Sequence, residues 1–219
     1  MDQAAIQAKL NAGYGQVATR LGQTVTVYRP DATQSKVAAL DARYMLTRTT
    51  AFFNADPNFK AIRPPPPDKP IVYVATDRTP LEQGDYLLDT DGHIWFVGMI
   101  KPLMATSAMR CNRTFSLQRP VPATGPYAYG GNAPQDMTTL LTSWPGFLAS
   151  KTKGLSPEEK VPGDTKLFVV QIYLPVTGPL LLEPNDVLLD DSDLTSRYTV
   201  ALTTETGQGW EVNCYYAGA

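Results

Sequence analysis

Leu81-Glu82-Gln83-Gly84-Asp85-Tyr86-Leu87-Leu88-Asp89 recurs as Leu182-Glu183-Pro184-Asn185-Asp186-Val187-Leu188-Leu189-Asp190. The offset is 101 residues and six of the nine positions are identical. Self-similarity at a fixed offset marks an architecture built from a repeated unit. The flanks agree in order as well. Ile71-Val72-Tyr73-Val74 corresponds to Phe168-Val169-Val170-Gln171, and Trp95-Phe96-Val97-Gly98-Met99 corresponds to Arg197–Leu202 in character. Upstream, Leu46-Thr47 faces Leu141-Thr142. Even the preceding strand is echoed, because Val25–Pro30 and Thr114–Pro120 both close on Arg-Pro.

The repeated unit has a readable physics. Gly-Asp or Asn-Asp supplies the backbone angles of a tight turn. A Leu-Leu-Asp strand follows and runs into Thr90-Asp91-Gly92 or Asp191-Ser192-Asp193, and an aromatic strand returns. Asp-Gly between two apolar runs is a strong hairpin signal. Each copy therefore predicts a small antiparallel sheet of five or six strands closing into a barrel or sandwich. Further strand-like runs are Tyr86–Asp89, Ile94–Met99, Val187–Asp190, Tyr198–Leu202 and Trp210–Tyr215.

Ahead of the repeats, Ile6, Leu10, Tyr14, Val17 and Leu21 make one apolar stripe at helical spacing. Asp2 is placed to cap this helix and Gly22 to end it. The stripe packs on its own domain or docks on a neighbouring subunit. Residues 31–43 predict a loop or short helix, and Ala55–Lys69 a loop ending in Pro64-Pro65-Pro66-Pro67. Four prolines favour an extended connector, with a peptide-recognition ligand as the sharper alternative. Val121–Asp136, rich in Pro and Gly, reads as a linker. The expected organisation is mainly β: an N-terminal helix (1–22), a first β module (23–120), a linker (121–136) and a second β module (137–219), the two modules being tandem, internally duplicated, small antiparallel barrels or sandwiches.

The chain has 219 residues, 19 Lys and Arg against 21 Asp and Glu, 43% hydrophobic residues and 18% charged. A near-neutral chain lacks the concentrated positive field of a sequence-independent nucleic-acid binder. Its apolar content is too high for a disordered protein. No apolar run approaches the roughly 20 residues of a membrane span. Met1-Asp2-Gln3-Ala4 has neither a basic nor an apolar leader region, which predicts no signal peptide. The Pro and Gly residues, 19 and 16, predict short elements joined by turns.

Few residues point to chemistry. Leu87–Gly92 has the look of a calcium loop, but an EF-hand wants an acid where Leu87 stands and a glutamate where Gly98 stands. Asp190-Asp191-Ser192-Asp193 lacks the glycine, and a solvated turn is the reading for both. His93 is the only histidine and no activated nucleophile accompanies it. It reads as structural, with hydrolysis by Asp89, Asp91 or His93 as a remote alternative. Cys111 and Cys214 fall in comparable parts of the two copies and read as buried thiols without a disulfide. The Asn112-Arg113-Thr114 glycosylation triplet has no meaning without a secretory route. No phosphate loop or dinucleotide fingerprint is present. Arg110, Arg113 and Arg119 form the one local basic cluster, read as a charged sheet edge, or as a contact to an acidic neighbour or passing nucleic acid. No catalytic residue, metal ligand or cofactor is expected.

Several of these stretches carry a resemblance: Gly13-Tyr14-Gly15 in the helix, Tyr28-Arg29-Pro30, Gly84-Asp85-Tyr86-Leu87, Trp95-Phe96-Val97 and Arg110-Cys111-Asn112-Arg113. Taken in order they resemble tailed-bacteriophage virion structural proteins of the neck, tail and baseplate β-barrel type. The resemblance covers most of the chain. It implies a non-enzymatic part that forms an oligomeric ring or plug with copies of itself and with neighbouring virion proteins, at the tail end or the head–tail neck. It implies residence in the virion after assembly in the bacterial cytoplasm, proximity to channel DNA without sequence-specific binding, and no membrane. Duplication suits that setting, because three chains of two modules present six similar surfaces. Expected interface residues are Ile6, Leu10, Tyr14 and Val17 on the helix, Pro64, Pro65, Pro66 and Pro67, Tyr127 and Tyr129, and Arg110 and Arg113. The alternative is a peptide- or carbohydrate-binding host-recognition module with a groove of exposed aromatics, Trp144, Trp210, Tyr127 and Tyr129.

Overall fold

Period-two apolar spacing closes two barrels in the computed structural model, which describes residues 2–60, 62, 70–77, 80–121, 137–149, 168–176 and 180–217. Helix α1 (Gln3–Leu21) comes first. The first barrel is built from β1 (Gln23–Tyr28), β2 (Met45–Asn54), β3 (Ile71–Thr76), β4 (Tyr86–Asp89), β5 (Ile94–Val97) and β6 (Thr106–Arg110). The second uses β7 (Arg113–Pro120), β8 (Met137–Ala149), β9 (Phe168–Leu174), β10 (Val187–Asp190), β11 (Asp193–Thr206) and β12 (Gly209–Ala217). Around the first, the order is β1-β2-β3-β6-β5-β4. Around the second it is β7-β8-β9-β12-β11-β10, the same cycle with six added to each strand. All named pairings are antiparallel. Closure gives each strand a hydrogen-bonded neighbour on both sides over at least part of its length, which suits strands as short as four residues.

The register proves the repeat residue by residue. Val25 pairs Asp89 and Tyr28 pairs Tyr86, as Phe115 pairs Asp190 and Gln118 pairs Val187. Gly84 at φ 91° and Asn185 at φ 73° hold the same left-handed turn, the conformation glycine and asparagine tolerate best. In both turns the backbone N–H of that residue donates to the following strand, to Val97 in one copy and Val200 in the other. Beyond the core motif the equivalences shift by one. Val72 matches Val170, because Val72 pairs Ala108 where Val170 pairs Cys214, and Thr47 matches Leu141 through their partners Val27 and Leu117. Cys214 therefore matches Ala108, and Cys111 is not its counterpart. The cause is bulges, which add residues to one strand without changing its partner.

The module boundary differs from expectation. Residues 113–120 belong to the second barrel, not the first, and 121–136 falls in sequence between β7 and β8, two strands of the same barrel. The true junction is Cys111-Asn112, with Asn112 N–H donating to Gly146 O at 2.9 Å. Proline and glycine content marks a long connection but not which side of a barrel it lies on. Strands β2, β6 and β8 also escape the periodicity reading. Only the second half of β2 is buried on a regular pattern, and β8 contains bulges.

Two apolar clusters result. One fills the first barrel, around Val25, Val27, Val72, Leu87, Trp95 and Val97, with Phe53 stacked on Trp95 at 4.1 Å. The other fills the second barrel and runs on into residues of the first that point outward, Tyr86, Phe96 and Met109. The barrels are thus packed directly on each other. The Tyr86 hydroxyl donates to Pro145 O at 2.7 Å, and its ring meets Trp144 edge-on at 6.2 Å.

Helix α1 lies on the first barrel, over β2 and β3. Ala18 is buried, while Ile6, Leu10, Tyr14 and Val17 are half-buried and Leu21 is exposed. Asp2 makes no side-chain cap; its backbone carbonyl accepts from Ala5 and Ile6 instead. Gly22 ends the helix in extended geometry, φ −82°, so it is not there for a left-handed cap. It is there for space, since a Cβ would stand 2.8 Å from Ala51 O. Gly22→Ala should cost about 1–3 kcal/mol in a denaturant melt, the usual penalty for overpacking. An unchanged midpoint would refute that close approach.

Candidate assembly surface

Each barrel is locked by the same clamp. Arg29 Nε and Nη2 grip Asp85 at 2.7 and 2.9 Å, and Nη1 reaches Glu82 at 2.6 Å. Arg119 grips Asp186 at 2.8 and 2.8 Å and Glu183 at 2.9 Å. Asp85 and Asp186 are both 1% exposed. Each aspartate also accepts the backbone N–H three residues upstream, from Glu82 or Glu183. Donation to Asp85 and Asp186 holds the two guanidinium groups above the usual arginine pKa. Arg119 is therefore a structural residue and leaves the expected basic cluster. Arg113 leaves it too, with Nε 3.5 Å from Asp190 Oδ2 and Nη1 donating to Ser192 Oγ at 3.3 Å. Arg110 remains exposed at the end of β6.

Asp89, Asp91 and His93 do come together, with one ligand-type atom of each within 4.8 Å of the others. Their geometry is that of a turn. Asp89 Oδ1 accepts from Asp91 N–H at 3.0 Å and His93 N–H at 2.7 Å. Its Oδ2 accepts from Gln23 Nε2 at 2.9 Å and lies 3.1 Å from His93 Nδ1. Both oxygens are committed to closing the hairpin onto β1. The equivalent Asp190 accepts Ser192 N–H at 2.9 Å in the sister turn.

The expected aromatic groove does not form from the tryptophans. Trp144 is 2% exposed and Trp210 9%, both inside the second cluster. Tyr127, Tyr129 and Pro64–Pro67 lie outside the described residues. Cys214 is buried and its thiol is pushed up to about 12; burial raises Cys111 as well. At pH 8 Cys214 should therefore stay unlabelled by a disulfide reagent over minutes in the native protein, whereas half-exposed Cys111 is the thiol a reagent reaches first, and denaturant should release Cys214. Rapid native labelling of Cys214 would contradict the burial.

On the helix, Tyr14 meets Phe59 at 5.5 Å and Phe59 meets Phe52 at 6.1 Å, tying the stripe to the barrel. Gln7 Oε1 accepts from Leu103 N–H at 2.6 Å. Between α1 and the 98–105 loop lies a cleft of about 300 Å³ touched by Tyr14, Leu81, Ile100 and Met104. Leu103 and Met104 on this loop are exposed. The segment Met45–Arg48 at the start of β2, which enters the sequence reading only as the echo of Leu141-Thr142 at Leu46-Thr47 and not as an interface, is exposed on both faces. A strand solvated on both faces shows no apolar alternation, so periodicity has no signal there.

Comparisons with protein-family models, with curated proteins and with solved structures found no match to this chain.

Proposed function

We propose that the protein is a non-enzymatic structural component of a tailed-phage virion, a subunit of an oligomeric ring or plug at the tail or the head–tail neck. The observation that carries this reading is that one barrel packs on its own repeat through a buried aromatic contact, Tyr86 on Trp144. A barrel that already uses another barrel as its packing partner is a building unit. The commitment of Asp89 and Asp190 to hairpin turns supports the same reading, since the carboxylates nearest to a catalytic arrangement are spent on structure. The host-recognition alternative loses its two tryptophans to the core.

The test is particle composition. Mass spectrometry of gradient-purified particles from cells carrying the gene should find this chain at a fixed copy number relative to the major capsid protein. Its absence from such particles, with other tail and neck proteins present, would overturn the virion assignment.

A further inference from the structure

Helix α1 holds on the first barrel the place that the first barrel holds on the second. The register makes the comparison residue by residue. Gln23 and Arg113 open β1 and β7 and pair Ala51 and Gly146, so Ala51 matches Gly146, Thr50 matches Pro145, and Thr76 matches Leu174. Leu103 and Gly209 stand three residues ahead of the matched Thr106 and Val212, and both have positive φ, 62° and 123°. On the second barrel these positions meet the first barrel. Gly146 O accepts from Asn112 N–H at 2.9 Å, and Pro145 O accepts from the Tyr86 hydroxyl at 2.7 Å. A Cβ on Gly209 would meet Leu174 O and stand 3.2 Å from the Phe96 ring. In the same turn Gly207 lies beside Met99, and Gln208 Oε1 accepts from Ser107 Oγ at 2.7 Å.

On the first barrel the matched positions meet α1. Gly22 packs on Ala51 O, a Cβ on Gly15 would stand 3.9 Å from Thr76 O, and Gln7 accepts from Leu103 N–H. Gly22 stands ahead of β1 as Asn112 stands ahead of β7. The helix thus replaces a preceding barrel, as a terminal cap does in a repeat protein. It fits the seat loosely. Ala18 is its one buried residue, and clefts of about 300 and 550 Å³ open between its N-terminal half and Ile100–Met104. With Gly13 and Gly15 inside it, a helix of 19 residues is marginal when unseated. The surface that fills this seat on the second barrel is meanwhile present a second time. The first barrel presents Tyr86, Phe96 and Met109, all buried in the contact, with Met99 beside them. Their matches on the second barrel are Val187, Thr199, Tyr215 and Leu202. Leu202 is 58% exposed and Tyr215 39%.

We propose that α1 is an exchangeable cap: in the lone chain it covers the seat on the first barrel, and in the assembly the second barrel of another copy takes that seat with the face that carries Val187, Thr199, Leu202 and Tyr215. The contact between copies then continues the contact between the two barrels of one chain, barrel on barrel in the same order. Leu202 of one copy comes to the 98–105 loop of the next, as Met99 comes to the turn at Gly207 within the chain. One seat and one face per chain make a heterologous, head-to-tail contact, which closes into a ring when the rotation permits. The helix sets the threshold for this step, because a seat that is covered lowers the apparent affinity for the incoming copy by the fraction of time it is covered. This deepens the ring reading above and rests on it for its biological setting.

The experiment uses the full chain and one surface variant, Tyr215→Glu, with Leu202→Glu as the second choice should the first fail to fold. Sedimentation should show the wild type as multimers and the variant as a 23.9 kDa monomer. Hydrogen exchange then reads the helix in both states. In the variant monomer the α1 amides should be protected, and in the wild-type multimer that protection should be lost while the strands of the first barrel keep theirs. Helix amides as protected in the multimer as in the monomer, a variant that still associates, or a monomeric wild type would overturn the proposal. Particle composition is read separately. A chain present in particles whose multimer keeps α1 protected sinks the exchange alone, and a chain that shows the exchange but is absent from particles sinks the virion reading alone.

Discussion

Arg119→Ala should lower the stability of the chain by about 3 kcal/mol, the low end of what is lost when one partner of a buried ion pair is removed. The argument rests on asymmetry of burial. Asp186 is 1% exposed while Arg119 keeps 29% of its side chain in water. Truncating the arginine leaves a deeply set carboxylate with only the Glu183 N–H of the protein still donating to it. The outer partner, Glu183, is 58% exposed, so Glu183→Ala should cost under about 1 kcal/mol. Because Arg29 and Asp85 form the same clamp, Arg29→Ala should have a matching effect in the first barrel. Urea titration followed by tryptophan fluorescence measures all three. Equal small losses for Arg119→Ala and Glu183→Ala would show that the inner pair does not hold the turn.

Tyr86→Ala should be the most damaging change at the contact between barrels, at about 3–5 kcal/mol, the range for deleting a large buried aromatic. The side chain is fully buried although it sits on the outside of its own barrel. It fills the space against Trp144 and Phe96, with ring centroids 6.2 and 6.5 Å away. Tyr86→Phe keeps that volume and removes only the bond to Pro145 O, which should cost about 1 kcal/mol. Calorimetry separates the two effects. Wild type should melt as one unit, and Tyr86→Ala as two resolved transitions, one per barrel. A single undiminished transition in Tyr86→Ala would mean that the barrels do not depend on this contact.

How much of this was legible in sequence follows from what each residue does. The nine-residue repeat was visible because a turn, a buried acid and an inward leucine must recur together for the strand to leave its turn correctly, as Asp85-Tyr86-Leu87 and Asp186-Val187-Leu188 do. The echoed Arg-Pro was visible too, and its reason is now physical: Arg29 and Arg119 each clamp the acid of their own copy. The junction was not legible, since Arg113–Pro120 looks the same at the end of one module as at the start of the next. Only pairing to Val187–Asp190 places it. Trp144 and Trp210 were legible as aromatic but not as buried, because the bulges that turn β8 inward have no composition signature. The β2 edge was silent for the opposite reason, its residues being solvated on both sides.

The central claim is that this chain is an assembly subunit, and its mass in solution tests that most directly. Sedimentation of the full chain from low to high micromolar concentration should show species at integer multiples of 23.9 kDa greater than one, increasing with concentration towards a single closed form. A single 23.9 kDa species across the whole range would contradict the account.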